Sequence, residues 1–184
     1  MFRVRSAKPL SACPQRGAAL ITALLLLVVM TILALSVMQM SRVEERMVGN
    51  TRDLNVAFEA AEAAARNGEA VVRQQVTAID CSPSATCKSW IQGSPPDLAN
   101  QTATWWSSNA TPFADPAGNA MSGVKASANP TYVVEHLGFV RTDGGVETGV
   151  EPVGRDFYEV TGHSSGVSGL ANSVVQTTFA RKFD

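Results

Sequence analysis

The stretch Ala18–Met38, AALITALLLLVVMTILALSVM, carries no charged residue and restricts the possible folds more than any other feature of the chain. A helix needs roughly 20 predominantly apolar residues to cross the hydrocarbon core of a bilayer. In lipid the backbone must satisfy its own hydrogen bonds, so a helix is expected. Arg3, Arg5, Lys8 and Arg16 precede the run, with no acid among them. The positive-inside bias then keeps the N-terminus cytoplasmic and sends everything after Met38 outward. An ordinary secretory signal has a shorter apolar core followed by a small-residue cleavage site. Here the run passes instead into Ser-Val-Met-Gln-Met-Ser-Arg.

From Ser41 the chain turns polar but keeps a helical pattern. Val43, Met47, Leu54, Phe58, Ala61, Ala65, Val72 and Val76 fall three, four or seven positions apart and draw one stripe. Glu62 and Arg66, then Glu69 and Arg73, stand four residues apart in the favourable order on what reads as the solvated side. A helix unbroken from Ala18 to Val76 would be roughly 90 Å long. Gly49-Asn50 marks a soft point in it, and Gly68 a weaker one, because glycine costs about 1 kcal/mol relative to alanine within a helix.

Beyond the helix the composition allows one modest domain. Lys88 to Asn129 is rich in Ser, Pro, Asn, Gly and Ala and reads as an irregular connector with short helical or strand pieces. Tyr132–Leu137, Phe157–Thr161 and Ser173–Phe179 concentrate β-formers, with a turn at Ser164–Gly169 before the last. Three or more antiparallel strands packed on the helical stripe make the expected fold an α+β roll. The expected divisions are a basic leader 1–17, a membrane helix 18–40, an amphipathic helix 41–78 and a head 79–184.

Cys13 lies in the leader, whereas Cys81 and Cys87 flank the short loop Ser-Pro-Ser-Ala-Thr. Export to an oxidising compartment favours a disulfide between the latter two, worth on the order of 2–3 kcal/mol in the chain-entropy model. A zinc site is the weaker reading, since no histidine lies nearby.

The segment RGAALITALLLLVVMTILALSVMQMSRVEERMVGNTRDLNVAFEAAEAAAR, with PTYVVEHLG and the closing DFYEVTGHSSG and NSVVQTTFARKF, resembles the PilX-type minor pilins of type IV pili. The likeness is strongest from Gln15 to Arg73, weaker at the C-terminus, and absent in the middle. It implies that a prepilin peptidase removes the leader after Gly17 and methylates the new amino terminus at Ala18. It also implies a subunit stored in the inner membrane with a periplasmic head. That subunit would associate with other minor pilins and the major pilin through its N-terminal helix, priming the fibre and capping its tip beneath a large adhesin, in support of adhesion and twitching motility. No cofactor is implied.

Two positions depart from the general pilin pattern. Major pilins usually begin with phenylalanine, where this chain has Ala18. The fifth mature position is Thr22 and not glutamate. That glutamate neutralises the α-ammonium of a neighbouring subunit in a low-dielectric fibre core, and an unpaired buried carboxylate is costly. Thr22 thus suits a tip position. Alternatively its hydroxyl simply bonds a helix carbonyl, as Thr31 and Ser36 are expected to do.

Signs of catalysis are missing from the sequence. His136 and His163, the two histidines, match no HExxH spacing and read as surface polar residues. No GxSxG elbow occurs, and Gly144-Gly145 precede no helix that would make a phosphate loop. Without the four basic leader residues, eleven of the fifteen Lys and Arg face sixteen Asp and Glu, which argues against nucleic acid as partner. Asp143, Glu147, Glu151 and Asp156 sit in a turn-rich stretch and are weak calcium candidates, with a solvated connector the favoured reading. Trp105 and Trp106, near Trp90 and Phe113, read as mixed use, one ring packed and one available to a partner. Other readings of the whole are a tip pseudopilin of a type II secretion system and a single-span anchored periplasmic binding module.

Overall fold

The apolar run and the polar stripe that follows it form one α-helix, α1, Ala18–Gln74. A computed structural model describes residues 18–78, 89–123, 125–142 and 153–183. After α1 come β1 (Ser89–Ile91), a 3₁₀ turn at Leu98–Asn100, α2 (Ala103–Asn109), β2 (Thr111–Pro112), β3 (Thr131–Arg141), β4 (Gly154–Ser165) and β5 (Asn172–Arg181). The helix continues through Gly49-Asn50 without a break and ends two residues short of Val76. The architecture is α+β, as expected.

The three strands expected from the sequence are present and longer than their β-former clusters. β3 pairs with β4, and β4 with β5, both antiparallel. The sheet also takes in two pieces of the connector: β2 lies antiparallel to the start of β3, and β1 lies parallel to its middle. The sheet is therefore mixed, in the order β1-β3-β4-β5.

The chain divides into two units, one ending at Met47 and the other beginning at Val48. In the first, the described helical residues are exposed on every side. In the second, the helix packs on the sheet through Ala57, Ala60, Ala61, Ala64, Ala65, Gly68 and Val72, all buried. Ala64, Ala65 and Val72 meet Tyr132, Val134, Tyr158 and Val160 in the core, with Val71, Phe179 and Phe183 against it. Most of the helix side of this interface is alanine; the bulk comes from the strands.

The close approach centres on two glycines. A Cβ on Gly162 of β4 would lie 2.2 Å from the Ala61 carbonyl oxygen and 2.8 Å from the Ala65 nitrogen. One on Gly68 would lie 2.5 Å from Val160 Cγ1 and 2.8 Å from Tyr132 Cδ2. Gly68, expected as a soft point, is instead where the helix touches the sheet. Of the stripe read from the sequence, Ala61, Ala65 and Val72 are buried, but Leu54 and Phe58 remain 46% and 51% exposed. The buried residues of the helix begin at Ala57; Leu54 precedes them, and Phe58, although next to Ala57, lies off the side that meets the sheet.

Both ion pairs expected along α1 form, Glu62 with Arg66 and Glu69 with Arg73. Glu69 differs from expectation in not facing water alone. Its other oxygen accepts a hydrogen bond from the Thr177 hydroxyl at 2.9 Å, tying α1 to β5. Arg181 donates to the Val72 carbonyl near the end of the helix, and the Arg73 guanidinium lies 4.9 Å over the Phe179 ring. On the opposite sheet face Val133, Thr161 and His163, which alternate with core residues, are also buried, so its β3 and β4 part is covered while the outward row of β5 is exposed.

Candidate assembly surfaces

The N-terminal part of α1 is apolar all round. Leu20, Leu27, Met30 and Leu33 are each exposed by about 60% or more, and α1 is a helix long and apolar enough to cross a membrane. Its few hydroxyls are turned inward on the backbone. Thr22 donates to the carbonyl of Ala18 at 3.2 Å and of Ala19 at 3.0 Å, Thr31 to Val28 at 2.8 Å, and Ser36 to Ile32 at 3.0 Å. Each polar side chain is thereby satisfied within one turn, and the helix surface stays compatible with lipid or with other apolar helices. Among the described residues, which begin at Ala18, α1 starts at once. Gly17, the expected cleavage residue, lies outside the described residues.

In the head, α1 is clasped by the turn between β4 and β5. Asp53 accepts hydrogen bonds from the Ser168 amide at 3.0 Å and from the Ser168 hydroxyl. These two bonds hold its carboxyl below the usual carboxylate range. Gly166 lies so close beneath that a Cβ there would be 2.4 Å from Asp53 Oδ1. The sequence marked the turn by its Ser and Gly content; nothing in the periodicity marked Asp53 as its partner 115 residues away.

The three tryptophans and one histidine form a ladder on the connector side of the sheet. Thr102 caps α2 by accepting from the Trp105 amide. Within α2, Trp106 is 1% exposed and stacks on His163 with centroids 4.6 Å apart and planes 6° from parallel. Trp105 stands edge-on to Trp106 at 5.4 Å and tilted against Trp90 at 6.1 Å; both Trp105 and Trp90 are only half-buried. The Trp106 indole N–H has no hydrogen-bond partner among the described residues.

Neither histidine is the surface residue the sequence suggested. His163 is 8% exposed, and burial lowers its pKa from the ordinary 6.5. His136 Nε2 lies 2.9 Å from Asp156 Oδ1, both side chains 10% exposed. Asp156 is likewise no member of a turn-rich acidic loop: it sits within β4, paired to His136. The other calcium candidates, Asp143, Glu147 and Glu151, lie outside the described residues, as do Cys81 and Cys87. Among the described residues no three His, Cys, Asp or Glu side chains gather as a metal site would require.

The helix-then-sheet layout agrees with the comparison of the sequence with protein families. A family described as PilX N-terminal matches residues 16–66, and one described as Type IV pilus assembly protein PilX C-term matches residues 60–181. The chain belongs to the PilX family. It is accordingly a minor pilin that takes part in type IV pilus assembly, and its apolar N-terminal helix fits membrane anchoring. No curated protein and no solved structure matches the chain. The two family matches meet on α1 between residues 60 and 66, on the segment where Ala60, Ala61, Ala64 and Ala65 pack on the sheet of this PilX-family head.

Sequence reasoning found the membrane-length helix and the tryptophan group from composition alone. It missed the small-residue seam, the Asp53 clasp and the His136–Asp156 pair. The seam had a faint signal in the alanine spacing 57, 60, 61, 64 and 65. The other two join residues far apart in the chain and left no local trace.

Proposed function

We propose that this PilX-family chain is exported with a basic leader, cleaved after Gly17, methylated on Ala18, and stored in the inner membrane with its head in the periplasm. It then joins other minor pilins and the major pilin through α1, helping to prime the pilus and occupying its tip complex, beneath a large adhesin. Adhesion and twitching motility depend on it indirectly, through fibre formation. The observation that carries this reading is the N-terminal part of α1: it is apolar all round, with the hydroxyls of Thr22, Thr31 and Ser36 returned to its own carbonyls. Such a surface exchanges lipid for neighbouring helices at little polar cost. Ala18, Ala19, Ala23 and Ala34 permit close helix approach.

Thr22 supports the tip placement. A carboxylate at that position would need a neighbouring ammonium, and a subunit with nothing above it meets none. In the same reading Cys81 and Cys87 close a disulfide in the oxidising periplasm, and the half-buried Trp105 is a point of contact for a partner.

Intact mass and N-terminal sequencing of the protein from membranes of cells with an active prepilin peptidase test the proposal. A chain that starts at N-methylated Ala18 is the expected result. Retention of Met1 and the full leader would overturn the assembly reading in favour of a fixed membrane anchor.

A further inference from the structure

The two sides of the sheet are finished differently. On one side β3 is covered by β2 opposite Thr131 and Tyr132 and by β1 opposite Val134 to His136. On the other side β5 ends the sheet, and no strand among the described residues pairs with its outer edge. β5 is ten residues long. It pairs with β4 from Asn172 to Arg181 without a register shift, so no bulge twists the edge away. Between Asn172 and Ala180 it carries no charge and no proline, and Val174, Val175, Thr177, Thr178 and Phe179 are strong β-formers. Natural proteins blunt such edges with lysine, proline, bulges or a covering element. Among the described residues β5 has none of these between Asn172 and Ala180.

We propose that the outer edge of β5 receives an extended strand from another subunit of the same pilus, lengthening the sheet by backbone pairing. The inference rests on the assembly reading above and adds the surface by which the head, as distinct from the helix, meets its neighbour. An edge strand presents a row of unpaired N–H and C=O groups, and main-chain pairing supplies affinity while alternate side chains supply specificity.

The side chains of β5 state what kind of strand fits. Its helix-facing row, Ser173, Val175, Thr177 and Phe179, is only half-buried, so an added strand with small or apolar residues on that side extends a cover that α1 leaves incomplete. Its outward row, Asn172, Val174, Gln176 and Thr178, is exposed. That row borders a groove of about 440 Å³ lined by Pro95, Pro96, Leu98, Glu135 and Glu159. Glu159 stands opposite Thr178 and accepts from Gln176. Next to these carboxylates the incoming strand carries polar or basic residues in its outward row, and acids are disfavoured.

The length of the edge argues for a neighbour in the fibre over a free pair of identical chains. Ten residues make an edge of about 33 Å. One strand pair of that length is a small contact beside the roughly 1,200–2,000 Å² that a stable pairwise interface buries. The occupant must be held nearby by a second contact, which raises its effective concentration at the edge. Packing of α1 against neighbouring helices, as proposed above, provides that tether within a pilus.

The test uses the full chain in cells that assemble pili. A photo-crosslinking amino acid is placed in turn at Val174, Gln176 and Thr178, and the adducts are mapped by mass spectrometry. The expected result is adducts on one extended segment of a different pilus subunit, with the attachment point moving by two residues for each two-residue step of the probe. Adducts only to a second copy of this chain, or adducts scattered without that step, would overturn the proposal. In parallel, the double variant Val174→Lys, Thr178→Lys should fold with an unchanged melting temperature, keep its processed N-terminus, and lose the adducts from a probe at Gln176 at least tenfold. Processed, assembled protein showing no adduct removes the edge proposal alone. An unprocessed leader removes the assembly reading on which it stands.

Discussion

Gly162 of β4 lies against the Ala61 carbonyl of α1 so closely that a Cβ added to it would stand 2.2 Å from that oxygen. The obstacle is backbone on both sides, with the Ala65 nitrogen at 2.8 Å, so no side-chain rotation relieves it. Gly162→Ala should therefore destabilise the head by about 1–3 kcal/mol or more, as overpacked cores do. Denaturant unfolding of the purified chain measures it, and an unchanged midpoint would show that helix and sheet are not held at this distance in solution.

The glycines of α1 should respond in opposite directions. Gly49 has nothing within 4 Å of an added Cβ, whereas Gly68 meets Val160 and Tyr132. Gly49→Ala should stabilise by about 0.4–1 kcal/mol through lost freedom in the unfolded chain. Gly68→Ala should destabilise despite alanine's better helix propensity, because tertiary contact outweighs it. Thermal melts followed by circular dichroism separate the two; a gain in both variants would contradict the close contact at Gly68.

The Asp53–Ser168 clasp carries a pH dependence of definite sign. Hydrogen bonds from Ser168 lower the folded-state pKa of Asp53 from the ordinary 3.8. The unfolded chain thus takes up the proton first as pH falls. The contribution of the clasp is complete above the unfolded value and is lost as pH drops through the folded one. Asp53→Asn should melt at a lower temperature than the wild type at pH 6, with the difference closing towards pH 3. A difference constant across that range would show that the carboxylate charge plays no part.

His163 shows the opposite chemistry with a related consequence. Burial against Trp106 disfavours its charged form and lowers its pKa from 6.5. Below about pH 6.5 the unfolded state binds a proton that the folded state resists, so stability falls with pH until the folded value is passed. His163→Phe keeps a flat ring for stacking but removes the titration. Between pH 7.5 and 5 the variant should lose less melting temperature than the wild type, and parallel curves would count against a neutral stacked imidazole.

Replacing Ala23 with phenylalanine separates the two environments proposed for the N-terminal helix. Lipid accommodates a larger apolar side chain, while close packing between helices does not. Ala23→Phe should appear in the membrane fraction at wild-type level, with surface pili reduced several-fold by electron microscopy. Normal piliation would mean that this part of α1 packs elsewhere.

Local chemistry accounts for most of what was legible in the sequence. A long uncharged run followed by spaced apolar residues requires a helix wherever it is placed, and the structure has one from Ala18 to Gln74. Glu62 with Arg66 and Glu69 with Arg73 pair because helical geometry sets four-residue neighbours side by side. β-former clusters located β3, β4 and β5, although their ends extend further because ladder pairing continues beyond the apolar residues. The parallel β1 was not legible, since a three-residue strand within a Ser- and Pro-rich connector forms only when β3 is there to receive it.

The sequence by itself determined the membrane-length helix, the succession from helix to strands and, through its matched segments, the PilX family. Only the tertiary structure decided which residues of that helix are buried, that two histidines expected at the surface are enclosed, and that β5 ends the sheet among the described residues. The physical reason is the range of the interactions. Helix formation and strand propensity are settled within a few residues. The partners of Asp53, Gly162 and His163 lie dozens of residues or more away in the chain and act on them only after the sheet has closed over the alanine seam.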